Sequence, residues 1–408
     1  MSVLAINGGT PLIPEGITPE WPIFDEREKA QIIEVLDSGK WCALGQPDGK
    51  VTAFEKAFAG FIGTKFAMAV PNGTAALEVA LTACGIEPGD EVIVPAVTFI
   101  ASASAIVLAG GVPVFVDVEP DTYQISADAV EEAITSRTKA IEVVHYGGYP
   151  ADMDRIMEIA GKHGLSVVED AAEAHGSEWR GKRTGSIGDM GGFSFQMGKA
   201  LTCGEGGCMT FSDENLAAES YAYARLGRKQ GGEAYEHYVP AGNYRLSEFL
   251  GAILLIQLER FPAQLETRHE NGEYFAAELA KIEGVSALKR DERITKRGYY
   301  FYFVRFDEKL WNGIPRDRFL EALKAEGVRC GTAHNQPLYL NPAFENIKKS
   351  LLYGSKMNYA DVHCPVGEYI YSSEVVAMGK DFLMERDNVD MILEAIRKIR
   401  ANIGELAG

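Results

Sequence analysis

The chain has 408 residues, more than one hydrophobic core usually serves, so about two or three domains are expected. Hydrophobic residues at 46% and charged residues at 24% describe ordinary globular composition and exclude a disordered or fibrous chain. A formal net charge of -18 repels phosphate backbones and anionic headgroups, which disfavours nucleic-acid and membrane partners and favours a small molecule.

The opening MSVLAINGGTPLIPEG has no basic segment leading into an apolar one, and no later run of about 18 apolar residues occurs. A cytoplasmic protein is expected. From about residue 24 to about 225, short apolar runs alternate with helical patterns, the signature of βαβ units and a mostly parallel sheet. Strands are expected at 66–70 (FAMAV), 91–95 (EVIVP), 112–118 (VPVFVDV), 139–145 (KAIEVVH) and 165–170 (LSVVED). Helical patterns such as GTAALEVALTACG and ADMDRIMEIAGKHG lie between them, several stopping at glycine. After Asn243 a long apolar helix is expected to break near Pro262, at a hinge into a second helix. A strand at 298–306, a helix beginning PRDRFLEALKAEG, an irregular stretch over 335–370 and a terminal helix complete the chain. The fold class is therefore α/β, with a large domain over 1–260 and a smaller C-terminal α+β domain over 261–408. Cys42, Cys84, Cys203, Cys208, Cys330 and Cys364 form no C-x-x-C pair, and neither a disulfide framework nor a metal site is indicated.

Three segments carry candidate chemistry. Gly73 and Thr74 follow a strand and open a helix, where free N–H groups and the positive end of the dipole meet; the same residues also fit a plain turn with an N-cap. Asp170 and Glu173 stand at the carboxyl end of a buried strand, the edge at which open α/β sheets bind ligands. An unpaired buried Asp is costly, whereas one facing a protonated ring nitrogen is stabilised; the segment fits equally well with Asp170 as a helix N-cap and His175 as a satisfied core histidine. Lys199 lies between two apolar, glycine-rich pieces that strip water from an amine and suit a Schiff base, and the Ser194 hydroxyl lies five residues before it. Lys199 as amine, Asp170 as carboxylate, Gly73, Thr74 and Ser194 as phosphate cup and Phe99 as stacking surface together meet the needs of pyridoxal 5'-phosphate.

NGTAALEVAL, GDEVIVPAVTFIASASA, PVFVDVEPDTY, VVHYGGYPADMD, VVEDAAEAHGS, FSFQMGKALTCGEGG and GNYRLSEF resemble, in order and along nearly the whole chain, the DegT/DnrJ/EryC1/StrS sugar aminotransferases, a branch of the fold-type I pyridoxal-phosphate enzymes. The resemblance implies a Schiff base at Lys199, an ion pair from Asp170 to the pyridinium, stacking by Phe99 and phosphate contacts from Gly73, Thr74 and Ser194. It also implies Glu173 against the cofactor ring, Asn243 reaching the phosphate in a neighbouring subunit, and a homodimer with shared active sites. Relatives that carry histidine in place of the lysine are dehydratases; this chain keeps Lys199. Within the family the chain looks most like glutamine-dependent aminotransferases of keto-cyclitols such as scyllo-inosose and like aminohydroxybenzoate synthases. Glutamine or glutamate is the implied donor, and a ketone on a sugar or cyclitol the acceptor. An aminohydroxybenzoate-synthase-like dehydration and a catalytically silent cofactor-binding regulator stand as rivals. Arg245 is a candidate for the donor carboxylate, with a surface or interface arginine at least as good an explanation, and His334 and Tyr339 are candidates for the mouth of the pocket, with packing an equal explanation for both.

Overall fold

The computed structural model describes residues 3–17, 21–233 and 235–406. Two helices lead in, α1 (Glu26–Ser38), which starts at a capping box between Asp25 and Glu28, and α2 (Lys50–Ile62). The chain then alternates through β1 (Phe66–Val70), α3 (Gly73–Ala83), β2 (Glu91–Pro95), α4 (Ile100–Leu108), β3 (Val112–Val116), α5 (Ala127–Ala133), β4 (Thr138–Val144), α6 (Met153–His163) and β5 (Ser166–Asp170). Two-residue strands β6 (Glu178–Trp179) and β7 (Lys182–Arg183) precede β8 (Met190–Ser194) and β9 (Gly207–Phe211). The seven-stranded sheet has the order β1-β9-β8-β5-β4-β2-β3. β2, β3, β4, β5 and β8 run parallel, and β9 runs antiparallel to both β1 and β8. The mostly parallel sheet expected from sequence is present, with the five strands expected between 66 and 170 each within a residue or two.

Burial on both faces explains the apolar runs. On one face Val92, Val94, Ala140, Val168 and Met190 join Ala76, Ala80, Ala103 and Ile106 of α3 and α4 in one core. On the other, Ile93, Ile141, Val143 and Val167 pack with Val130, Ile156 and Ile159 of α5 and α6. Glu169, on this second side, is fully buried yet satisfied: His145 Nε2 lies at 2.9 Å, and the N–H groups of Gly185, Ile187 and Gly188 donate to it at 2.6–2.8 Å. His145 Nδ1 accepts from Ala151 N–H, so the ring proton sits on Nε2 and is donated to Glu169.

After α7 (Glu214–Ala224) comes α8 (Glu248–Leu279), a single helix of 32 residues that passes through Pro262. The break and hinge expected there do not occur. Phe261 and Leu265 are buried on either side of the proline, while Pro262 itself is exposed, so packing holds the helix across it. The second half holds β10 (Val285–Ala287), β11 (Ile294–Lys296), β12 (Phe301–Phe306), α9 (Arg316–Ala325), α10 (Pro342–Glu345), α11 (Pro365–Tyr369), β13 (Val375–Gly379) and α12 (Arg386–Ala401). β10, β12 and β13 form an antiparallel sheet, while β11 pairs with β6. Leu4, Ile13 and Ile17 from the start of the chain share the core of the smaller antiparallel sheet with Phe275, Trp311, Phe319 and Ile396.

Candidate active site

The carboxyl ends of β4, β5 and β8 and the starts of α3 and α4 surround a cavity of about 550 Å³. Gly73, Thr74, Phe99, Asp170, Glu173, Ser194 and Lys199 all line it. The first turn of α3 is capped by Asn72, whose Oδ1 accepts from Ala75 N–H at 2.8 Å. Gly73 is required by space: a Cβ there would stand 2.7 Å from the Cβ of Ser194, at the end of β8. The close approach lets the start of α3 and the Ser194 hydroxyl face the same part of the cavity, a cup suited to a phosphate.

Asp170 ends β5 and is 6% exposed. Ser102 Oγ, on α4, donates to its Oδ2 at 2.8 Å, and Ala172 N–H donates to Oδ1 at 3.1 Å. Thr98 Oγ1 lies 3.0 Å from Ser102 Oγ and can donate to it in turn. Burial pushes the Asp170 carboxyl up from its ordinary range; the Ser102 and Ala172 hydrogen bonds and the Lys199 charge pull the other way. A cationic ring N–H presented at Asp170 would relieve that burial cost.

Lys199 sits in the return between β8 and β9. Backbone bonds from Phe195 N to Gly206 O, Met197 N to Gly204 O and Lys199 N to Gln196 O hold that return. The amine lies 3.5 Å from Glu173 Oε1 and 4.1 Å from the centre of the Tyr300 ring. Glu173 Oε2 in turn accepts from Gly147 N–H at 2.9 Å. Phe99 is the residue before α4, is 54% exposed, and packs with its ring centre 5.7 Å from that of His334. His334 lines the cavity, and burial holds its imidazole below the usual range. The residues fit pyridoxal 5'-phosphate: a glycine whose side chain, if it had one, would crowd Ser194, a buried carboxylate open to a cation, and an amine within one cavity.

The chain belongs to the DegT/DnrJ/EryC1/StrS aminotransferase family. The profile of that family matches residues 22–397. The chain is 36% identical to the L-glutamine:scyllo-inosose aminotransferase of Streptomyces griseus, across 100% of this chain and 99% of that one. It is 40% identical to the GDP-perosamine synthase of Caulobacter vibrioides over 80% of this chain and 86% of the relative. Among solved structures, 3-amino-5-hydroxybenzoic acid synthase superposes with a TM-score of 0.84 at 33% identity, covering 94% of this chain and 99% of that chain. This member of the DegT/DnrJ/EryC1/StrS family is an aminotransferase of α/β fold, and pyridoxal 5'-phosphate is its cofactor.

Three candidates, Asn243, Arg245 and Tyr339, stand apart from the cavity. Asn243 is exposed, bridged to Arg225 through the backbone, and Arg245 donates its own N–H to Asn243 Oδ1 at 3.4 Å. Tyr339 is buried against Phe115, donates to Glu368 and accepts from Cys364 N–H, so it is a packing residue and does not line the mouth. Gln196, Glu205 and Tyr300 line the cavity without having been expected to. Tyr300 sits in a strand-like aromatic run, GYYFYF, that offers no local sign of which ring turns toward the lysine.

Proposed function

We propose that this aminotransferase moves an amino group from glutamine or glutamate to a ketone carried by a sugar or cyclitol ring. The observation that carries the reading is the meeting of the Lys199 amine, the Asp170 carboxylate and the Gly73–Ser194 cup in one cavity of about 550 Å³. The activities of the Streptomyces griseus and Caulobacter vibrioides relatives support the substrate classes. When bound, pyridoxal 5'-phosphate supplies the sink for the electron pair left as the donor's Cα–H bond breaks.

In this reading Gly73, Thr74 and Ser194 hold the phosphate, Phe99 covers one face of the ring, and Asp170 keeps the ring nitrogen protonated. Lys199 Nζ would hold the cofactor through its aldehyde carbon and, when free, would serve as the base toward the donor Cα and as the acid that returns the proton. Glu173 and Tyr300, beside the amine, fix its direction between the anchored and free positions. Running the same steps backwards delivers the amino group to the acceptor ketone.

We further infer a homodimer in which Asn243 reaches the phosphate of the neighbouring subunit, two units over residues 1–260 and 261–408, and a cytoplasmic location. The exposed position of Asn243 supports the first, and the separate sheets support the second. No described helix is long and apolar enough to cross a membrane.

The purified protein should absorb in the visible, and Lys199→Ala should remove both that band and turnover; a surviving band would sink the role of Lys199. A panel of keto-inositols and 4-keto nucleotide sugars, with the aminated product read by mass spectrometry, tests the acceptor class. The likeness to 3-amino-5-hydroxybenzoic acid synthase favours one rival, dehydration of a cyclic amino-ketone. An aromatic product from such a ketone would establish it.

A further inference from the structure

Glu142 lies in the middle of β4, opposite Val168 of β5, and is fully buried. Neither of its oxygens has a hydrogen-bond partner among the described residues. Side chains alternate along a strand, so Glu142 shares a face with Ala140, and Asp170 shares a face with Val168. Ala140 and Val168 belong to the core under α3 and α4, and Ser102 of α4 reaches Asp170 on that same side. Glu142 therefore stands one layer beneath the carboxylate at the cavity floor. Among the described residues Asp170 is the one charged group acting on it; α3 and α4 cover this face with Ala76, Ala80, Ala103 and Ile106.

Glu169, on the opposite face, shows what a structural buried carboxylate looks like here: four donors hold its charge. Glu142 has none, so its ionised form has nothing to stabilise it. Two carboxyls in a low-dielectric layer titrate as a coupled pair, and hydrogen bonds decide which member keeps the proton. Asp170 accepts from Ser102 and Ala172 and faces Lys199; Glu142 accepts from nothing. The negative charge settles on Asp170 and the proton on Glu142.

We propose that Glu142 is a positioning residue for the cofactor: a neutral carboxylic acid behind Asp170 that leaves Asp170 the single anion of the pair, matched to one protonated ring nitrogen. The proposal rests on the placement of Asp170 at that nitrogen. Burial and the Asp170 charge both push the Glu142 carboxyl well above its usual range, in the same sense.

Infrared spectroscopy of the full chain tests it. Freed of cofactor at neutral pH, the protein should show the carbonyl stretch of a protonated carboxylic acid, absent in Glu142→Gln. That band should move in Asp170→Asn, and should also move when pyridoxal 5'-phosphate is added to the unsubstituted protein. Lack of a protonated band, or a band indifferent to both changes, overturns the proposal. A band that moves with Asp170→Asn but not with cofactor keeps the pair and overturns instead the placement of Asp170 at the ring nitrogen.

Stability gives a second readout should Asp170→Asn fail to fold. An acid whose native proton affinity is raised loses stability for the protein as pH climbs above its unfolded value of about 4.3. The melting temperature of Glu142→Gln should therefore exceed that of the unsubstituted protein by a margin that widens from about pH 5 to about pH 8. A margin that does not change with pH would leave Glu142 a packing residue and overturn the proposal.

Discussion

At Gly73 the absence of a side chain is what brings Ser194 and the start of α3 together. Gly73→Ala would set a Cβ 2.7 Å from the Ser194 Cβ and 3.3 Å from its Oγ. Overpacking of this kind costs about 1–3 kcal/mol. At 1.4 kcal/mol per decade, that is roughly a tenfold to hundredfold loss of cofactor affinity if the strain falls on the cup. Titration of cofactor-free protein with pyridoxal 5'-phosphate measures it; unchanged affinity in a folded Gly73→Ala protein would remove Gly73 from the phosphate site. The residues recognised from sequence share one property: Gly73, Thr74, Asp170, Glu173, Ser194 and Lys199 lie in local patterns at strand ends, where turn chemistry and backbone direction announce a site. Ser102, Tyr300 and Glu142 carry no such mark. A serine in a small-residue helix, one ring in an aromatic run and one acid in a strand acquire meaning only when neighbouring strands and helices bring Asp170 or Lys199 beside them.

Among the elements, the strands from Phe66 to Asp170 could be read closely, because burial on both faces writes itself as continuous apolar runs. Direction could not. β9 has the same apolar, glycine-rich character as its neighbours, yet it runs against β1 and β8, since apolar content carries no sign of which way a strand points. α8 failed in the opposite sense: proline is a strong local stop, and here the packing of Phe261 and Leu265 overrode it. Pro262→Ala should then restore one helical hydrogen bond, to the carbonyl four residues earlier, and raise stability, by up to about 3 kcal/mol. Denaturant unfolding decides the point. A loss of stability would mean that the proline shapes a bend on which the packing of α1 and α2 against α8 depends.

For the whole molecule, several large apolar side chains are left uncovered: Phe99 at the cavity, Met197 on the lysine return, and Trp41, packed on Phe249 shortly after Asn243, are all more than two-fifths exposed. Exposed apolar side chains of this size suit contact with a second surface. If the partner is another copy of the chain and Asn243 serves that copy's phosphate, then Lys199→Ala and Asn243→Ala homodimers should both be impaired. Mixing and reassembling the two inactive proteins should recover activity, since some mixed dimers contain one site built wholly from unsubstituted residues. No recovery, with exchange of subunits shown by size-tagged chains, would place each site within one chain.

The return that carries Lys199 is anchored at both ends by strands of the central sheet and laced across by its own backbone bonds. Its main chain has little room to travel. If Lys199 holds the cofactor and ferries a proton as proposed, the distance its amine covers between the two tasks must come from rotation about its own side-chain bonds. The stroke of such a machine would be the length of one lysine stem, with the sheet as the fixed bearing on which it swings.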